Sequence, residues 1–397
     1  MSFRDGNISA FLFNQSYMRE HELNNEVSIT IDQVILRHIR VRLKDEFKTS
    51  FGKTFWRDVL IVELHSDDFV GYGEVAADLF PGFSYETSET ALLVLKKFLI
   101  PRILNKQFSS PRDFRDSLEI IRGHPIAKCS LEYAFWDLYA KVLGEPLYRL
   151  YGGAKTRVPV GVSIGIIDKI QYLIELIQKY VEEGYCRIKL KIAPGYDIEV
   201  LKAVREVFPE VALQVDANAS YDISKNLKTL LDLDKFNLLM IEQPLHYYDL
   251  VDHARLRPQL KTPICLDESI GSVHSAEAAI ALGSCDIINI KPPRVGGIME
   301  SFKIHNLCVK NSIGTWIGGM LETGIGKAHL LHIASLPNIT YPSDISASNR
   351  YWLEDIIDPP HKLNSSDGTI SVPNKPGIGV DVDMDRLLKY QIRYWKF

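Results

Sequence analysis

Six charged side chains in this chain of 397 residues stand at or near the ends of short apolar runs. Asp216 closes ALQVD, Glu242 closes LLMIE, Asp267 closes PICLD and Lys291 closes IINIK, while Lys189 and Lys191 lie two apart in RIKLK. Residues two apart on a strand share a face, so both lysines point inward if either does. One such charge alone reads equally well as a solvated loop group or half of a buried ion pair, since charges are rarely buried unpaired. Six recurring at one kind of place point to one site. Three carboxylates gathered at one mouth repel one another unless neutralised, and hard oxygen donors of this kind suit Mg2+, with Mn2+ as the alternative. Lysine becomes a base when neighbouring cations and partial burial pull its pKa below its free value of ~10.4, and the close Lys189/Lys191 pair beside a metal is expected to meet that condition. The reaction that needs both features is removal of a proton next to a carboxylate, with the metal and a cation stabilising the enediolate.

Weaker candidates surround these. Asn218 and Glu268 follow metal-ligand candidates by two residues and one, and would orient the site or merely make a strand-end hydrogen bond or salt bridge. Glu322, after GTWIGGM, would support a lysine or be an exposed loop carboxylate. Ser163 would meet a substrate carboxylate or fill an interior layer. Gly319 and Met320 lie in a Gly-rich stretch that leaves room for substrate.

These residues need elements to carry them to one place. From Val158 onward, β-rich runs recur at near-regular intervals: VPVGVSIG, CRIKLKI, ALQVDAN, LLMIEQP, PICLDES, IINIKPP, GTWIGGM and a weaker NITY around Ile339. Segments of helical periodicity separate them. Between Asp168 and Glu183, for example, Ile170, Leu173, Ile174, Ile177 and Val181 form one apolar face. Eight strand-turn-helix units without a Gly-x-Gly-x-x-Gly turn predict an α/β protein built on a (β/α)8 TIM-type barrel, whose active site lies at the C-terminal ends of the strands. Residues 27–150 have strand alternation over Val27–Val41 and Asp58–Val75, with a GYGE turn at Gly71–Glu74, before helical runs over Glu86–Leu104 and Lys128–Leu143. This order predicts an α+β capping domain. The expected organisation is a polar extension over 1–26, the cap over 27–150, the barrel over 151–350, and a segment over 351–397 that packs back on the cap.

Composition removes other classes. Forty-six basic against fifty acidic side chains leave a net charge of -4, with no basic field for a nucleic acid. The five cysteines form no C-x-x-C or Cys/His pair and read as reduced thiols, and the eleven histidines show no H-E-x-x-H spacing. No apolar stretch reaches the ~18 residues of a membrane span. The expectation is a cytoplasmic enzyme acting on a small-molecule carboxylate, with no nucleic-acid or membrane partner; whether it forms a homo-oligomer is open.

Nine segments carry a family likeness: KTSFG (Lys48–Gly52), GVSIGI (Gly161–Ile166), RIKLKI (Arg187–Ile192), VDAN (Val215–Asn218), IEQPL (Ile241–Leu245), CLDESI (Cys265–Ile270), NIKPPRVGG (Asn289–Gly297), GGMLETGIG (Gly318–Gly326) and SDISASNRYW (Ser343–Trp352). Across residues 27–397 they resemble the enolase superfamily, its muconate-lactonizing-like subgroup, and most of all the o-succinylbenzoate synthase/N-acylamino acid racemase family. The last two segments are the most specific. The resemblance implies Mg2+ on Asp216, Glu242 and Asp267. It implies Lys191 as acid and base on one face, Lys291 on the other, Lys189 in support, and a loop of Thr49, Ser50 and Phe51 closing over the substrate to exclude water. It implies a Mg2+-dependent synthase of menaquinone biosynthesis that dehydrates a hydroxycyclohexadiene carboxylate, with racemisation of N-succinyl or other N-acylamino acids as the alternative and both activities in one protein as a third case. Dipeptide epimerisation is more distant, because GGMLETG stands where such relatives carry Asp-x-Asp. A non-catalytic barrel would have lost a ligand or a lysine, and all six are present. Departures from the family pattern are the extension before Val27, Lys327 in place of an arginine, and a looser match in the N-terminal domain.

Overall fold

The computed structural model describes residues 27–50 and 52–397, so the polar extension and Phe51 lie outside the described residues. Strands β1 (Gln33–Thr49) and β2 (Gly52–Ser66) form a long antiparallel hairpin, and β3 (Phe69–Val75) adds to β2. The turn between β2 and β3 falls at Asp67, which has a φ of 48°. The GYGE segment is therefore not a turn but the middle of β3. Its glycines serve close approach: a Cβ on Gly71 would lie 2.0 Å from the Ala134 carbonyl oxygen, and one on Gly73 would lie 2.0 Å from that of Ser130. Both carbonyls belong to helix α2, which follows α1 (Ser88–Val94) and spans Pro125–Leu143. Helix α2 is buried from Ile126 through Ala140, as suits a helix apolar on most sides. Thr87 and Thr90 form a capping box at the start of α1.

The second half is a parallel barrel. Strands β4 (Gly161–Ile164), β5 (Arg187–Lys191), β6 (Leu213–Asp216), β7 (Ile241–Glu242), β8 (Ile264–Leu266), β9 (Ile287–Ile290) and β10 (Gly314–Ile317) neighbour one another in chain order. Helices α3 (Ile170–Glu183), α4 (Ile198–Val207), α5 (Ile223–Asp232), α6 (Val251–Leu256), α7 (Val273–Leu282) and α8 (Ile298–Asn311) make the crossovers between them, and α9 (Gly324–Ala334) follows β10. Each crossover returns the chain in the same direction and places every strand end at one mouth.

The eighth strand expected around Ile339 is reduced to a thread. The Thr340 amide donates to the Thr315 carbonyl, Ser343 bridges Val160 in parallel, and the Asp344 amide donates to Ile317 at 2.8 Å. Pro342 has no N–H to give and interrupts the ladder. The thread still closes the ring between β10 and β4.

The N-terminal elements are tied to this mouth. The Ile166 amide donates to the Lys48 carbonyl at 2.8 Å, and the Lys48 ammonium pairs with Asp168. Glu74 of β3 accepts from the Thr323 and Gly326 amides and the Thr323 hydroxyl, which places a carboxylate at the positive end of α9. After helix α10 (Met384–Tyr390), strand β11 (Gln391–Lys396) pairs antiparallel with β1. Before it, residues 369–371 pair with residues 157–159 at the barrel entry. The C-terminal segment thus touches both halves.

Candidate active site at the barrel mouth

The six charges converge because each ends, or nearly ends, a strand of the same ring. Asp216, Glu242 and Asp267 belong to three adjoining strand ends and are fully buried. Two registers align them: Lys191 faces Asp216 across β5 and β6, and Asp216 faces Glu242 across β6 and β7. Lys191 Nζ lies 2.6 Å from Asp216 Oδ2 and 2.7 Å from Asn218 Oδ1. Lys291 Nζ donates to Asp267 Oδ2 at 2.7 Å and lies 4.3 Å from the centre of the Phe83 ring. Lys189 sits deeper, within 3.2 Å of Asp216, 3.0 Å of Glu242 and 2.9 Å of Asp344. The second and sixth places of an eight-membered ring are opposed, so Lys191 and Lys291 enter the cavity from opposite sides.

In the arrangement described, carboxylates govern the Lys189 and Lys291 ammonium groups. Burial pulls the Lys189 ammonium down, but Asp344, Glu242 and Asp216 outweigh it and hold it well above the ordinary value. Lys291 is also raised: burial opposes the shift and Asp267 leads it. Like charge between lysines is the smaller effect because carboxylates surround them. Glu242 moves the other way from a paired acid. Burial first, and then Asp216, push its carboxyl above the ordinary range.

Such a donor set fits a hard divalent cation. Three acidic oxygen donors stand on adjoining strand ends, and a fourth acid, Glu268, is half-buried, its Oε2 shut off from solvent and without a hydrogen-bond partner among the described residues. In the arrangement described, no three His, Cys, Asp or Glu side chains among the described residues gather closely enough to hold an ion. The carboxylate oxygens are turned instead onto Lys189, Lys191, Lys291 and Arg294.

The surrounding candidates separate. Asn218 joins Lys191 to Glu268, donating to Glu268 Oε1 at 2.9 Å, from a left-handed backbone that asparagine tolerates. Ser163, Gly319, Met320 and Glu322 line the cavity, which has about 770 Å³ of empty space counting its mouth. The Ser163 hydroxyl donates to Asp344 Oδ2 at 2.8 Å. Glu322 is 2% exposed, which corrects its reading as an exposed loop carboxylate; it accepts the Met320 amide and, among the described residues, makes no ion pair with a lysine. Ser50 is exposed at the hairpin tip, whereas Phe47, Thr49 and Thr54 beside it line the cavity.

Four contributors were not singled out from the sequence. Asp344 links Lys189, Ser163 and Arg187, and its carboxyl is held well below the ordinary range: burial opposes this, and Lys189 and Arg187 overcome it. Its one signal was its place in SDISASNRYW. Arg294 pairs with Asp267, while Gln214 and Asn289 donate to the two oxygens of Glu242 at 2.7 and 2.8 Å. Inward-pointing strand positions were the signal for the last two.

Comparison with known proteins now bears on this geometry. Residues 31–152 match the mandelate racemase/muconate lactonizing enzyme N-terminal domain, and residues 172–386 match the enolase C-terminal domain-like family. An o-succinylbenzoate synthase from Geobacillus kaustophilus is 48% identical over 365 residues, 92% of this chain and 96% of that protein. An N-succinylamino acid racemase from Thermus thermophilus is 45% identical over 354 residues, 89% of this chain and 95% of that protein. The chain belongs to the o-succinylbenzoate synthase/N-succinylamino acid racemase family of the enolase superfamily. Among solved structures, an enolase-superfamily protein from Listeria innocua superposes with a TM-score of 0.89 at 40% identity, covering 93% of this chain and 99% of that one. A dipeptide epimerase from Cytophaga hutchinsonii, complexed with Mg and the dipeptide D-Ala-L-Val, superposes at 0.86 with 25% identity, covering 93% of this chain and all of that one. Among the described residues, no helix is long and apolar enough to cross a membrane.

Proposed function

We propose that this member of the family is a Mg2+-dependent o-succinylbenzoate synthase, which dehydrates 2-succinyl-6-hydroxy-2,4-cyclohexadiene-1-carboxylate. The observation that carries the reading is the pair of lysines, Lys191 and Lys291, entering one cavity from opposed strands beside three buried carboxylates. Mg2+ held by Asp216, Glu242 and Asp267 would offset their charge and polarise the substrate carboxylate. Lys191 takes the proton from the ring carbon that bears the carboxylate. That electron pair forms the new ring double bond as the neighbouring carbon–oxygen bond breaks, and the departing hydroxyl takes the proton back from Lys191 as water. The ring becomes aromatic. Lys291 stays an ammonium opposite and balances the charge that develops on the substrate. Lys189 is anchored by three carboxylates and positions Asp216 and Glu242. The hairpin residues Phe47, Thr49 and Thr54, together with Phe83, wall off water.

The opposed lysines also suit a second activity, racemisation of N-succinylamino acids. One lysine would remove the α proton and the other return it on the far face, and the 45% identical Thermus relative carries that name. We place either reaction in the cytoplasm, on a small carboxylate substrate.

The test is the rate of o-succinylbenzoate formation from the hydroxycyclohexadiene precursor, with Mg2+ and with a chelator. Efficient, chelator-sensitive turnover is expected. Folded protein that binds Mg2+ but gives no product would overturn the synthase assignment and leave N-succinylamino acid racemisation, read by deuterium entry at the α carbon.

A further inference from the structure

A second cleft lies between the N-terminal elements and the barrel loops, and it shares no lining residue with the substrate cavity. It has about 790 Å³ of empty space counting its mouth. Arg115 and Lys128 reach it from the N-terminal side, while Ser272 and Val273 at the start of α7, and Gly296, form the barrel side. Two features there lack a counterpart. Lys128 is 5% exposed, and among the described residues its ammonium makes neither a hydrogen bond nor an ion pair. Arg115 turns Nη1 into a buried position without an acceptor, although its other nitrogens reach Glu119 at 2.8 Å and Glu132 at 3.5 Å.

The location makes this arrangement more costly. Lys128 occupies the first turn of α2, at the positive end of the helix dipole, where a cation is disfavoured. The nearby acids are otherwise engaged. Glu86 accepts the Ile126 and Ala127 amides, Glu119 pairs with Arg115, and Glu300 pairs with Lys303 and accepts the Val273 amide. Burial and then Arg115, on the same side of the cleft, pull the Lys128 ammonium below its ordinary value. A largely buried cation with only the water of the cleft to face is retained at a stability cost unless something completes it.

We propose that this cleft is an anion site, separate from the substrate cavity, in which Lys128 and Arg115 hold a compact oxyanion of phosphate or carboxylate type. Bound there, the anion bridges the N-terminal elements to the barrel and lies near Gly296, at the end of the segment that carries Lys291. The proposal does not depend on which reaction the mouth performs.

Inorganic phosphate is the probe, added to the full chain at constant ionic strength with chloride as the control, and with o-succinylbenzoate present to occupy the lysines at the mouth. Saturable binding by calorimetry is expected, with a rise of about 2 °C or more in Tm at saturation. Lys128→Met keeps the volume and removes the charge. Without phosphate it should melt at or above the wild-type temperature, and with phosphate its affinity should fall tenfold or more. Lys128→Arg should restore binding. Absence of saturable binding in the wild type overturns the proposal. So does equal binding by wild type and Lys128→Met, which would put the anion elsewhere.

Discussion

Removing Lys191 tests the mechanism most directly, because the structure separates what its loss costs the fold from what it costs the reaction. Lys191→Ala deletes one ammonium and two contacts, at 2.6 Å to Asp216 and 2.7 Å to Asn218. Asp216 is not left bare: Lys189 remains 3.2 Å away, and the Asn218 amide donates to Oδ1 at 3.0 Å. A hydrogen bond to a charged group contributes about 1.5–3 kcal/mol, so with two partners kept the variant should lose no more than that and stay folded. Turnover is different. A positioned acid or base contributes about 10²–10⁴ in rate, and in the proposed mechanism one amine takes the proton and returns it. A fall of about 10⁴, or roughly 5.5 kcal/mol of barrier, is expected. Lys191→Arg separates the two roles, because arginine keeps the positive charge but does not give up its proton near neutral pH. It should be nearly as slow as the alanine variant. The assay is single-turnover formation of o-succinylbenzoate, paired with deuterium exchange at the α carbon. Activity of Lys191→Ala within about tenfold of wild type would refute its role as the base. Wild-type activity in Lys191→Arg would show that charge alone is needed.

Three further outcomes follow from the geometry. Asp344→Asn should destabilise the protein by about 3 kcal/mol or more, because Arg187 is fully buried and, among the described residues, has no other carboxylate within ion-pair distance; a denaturant midpoint unchanged from wild type would contradict this. Gly73→Ala should cost about 3 kcal/mol or prevent folding, since the new Cβ would meet the Ser130 carbonyl oxygen at 2.0 Å, and wild-type stability in that variant would mean that α2 can move away. Glu132 is held up to about 7, chiefly by burial. A raised folded-state value means that its contribution to stability is complete below the unfolded value of 4.5 and is lost as pH rises through about 7. Glu132→Gln should therefore lose less stability than wild type between about pH 5 and about pH 8, and equal slopes in denaturant melts across that window would show that Glu132 is already ionised at its lower end.

Much of the chemistry was legible because it is local. Asp216, Glu242, Asp267 and Lys291 each follow a short apolar run, and a charge at the end of such a run is visible without knowing what lies opposite. The near-regular recurrence of those runs indicates a barrel, and a barrel places all its strand ends at one mouth. What depends on non-local contact was not legible. The glycines of GYGE look like a turn in isolation, and only the passage of α2 across β3 shows that they are needed for contact. Ser343 and Asp344 complete the ring through single bridges that leave no strand periodicity to detect. Glu322 follows a strand like any loop acid, yet the fold buries it. The spacing of Lys189 and Lys191 shows their shared face, but the balance at Lys189 is summed over every charge within reach, and Lys189 lies among three carboxylates drawn from distant parts of the chain. The sequence by itself determined which residues are charged and which strand ends they occupy, because one strand's pattern suffices for that. Only the tertiary structure decided which charges meet, which are buried and which go unpaired, because burial and Coulomb energy depend on neighbours the chain brings together only by folding.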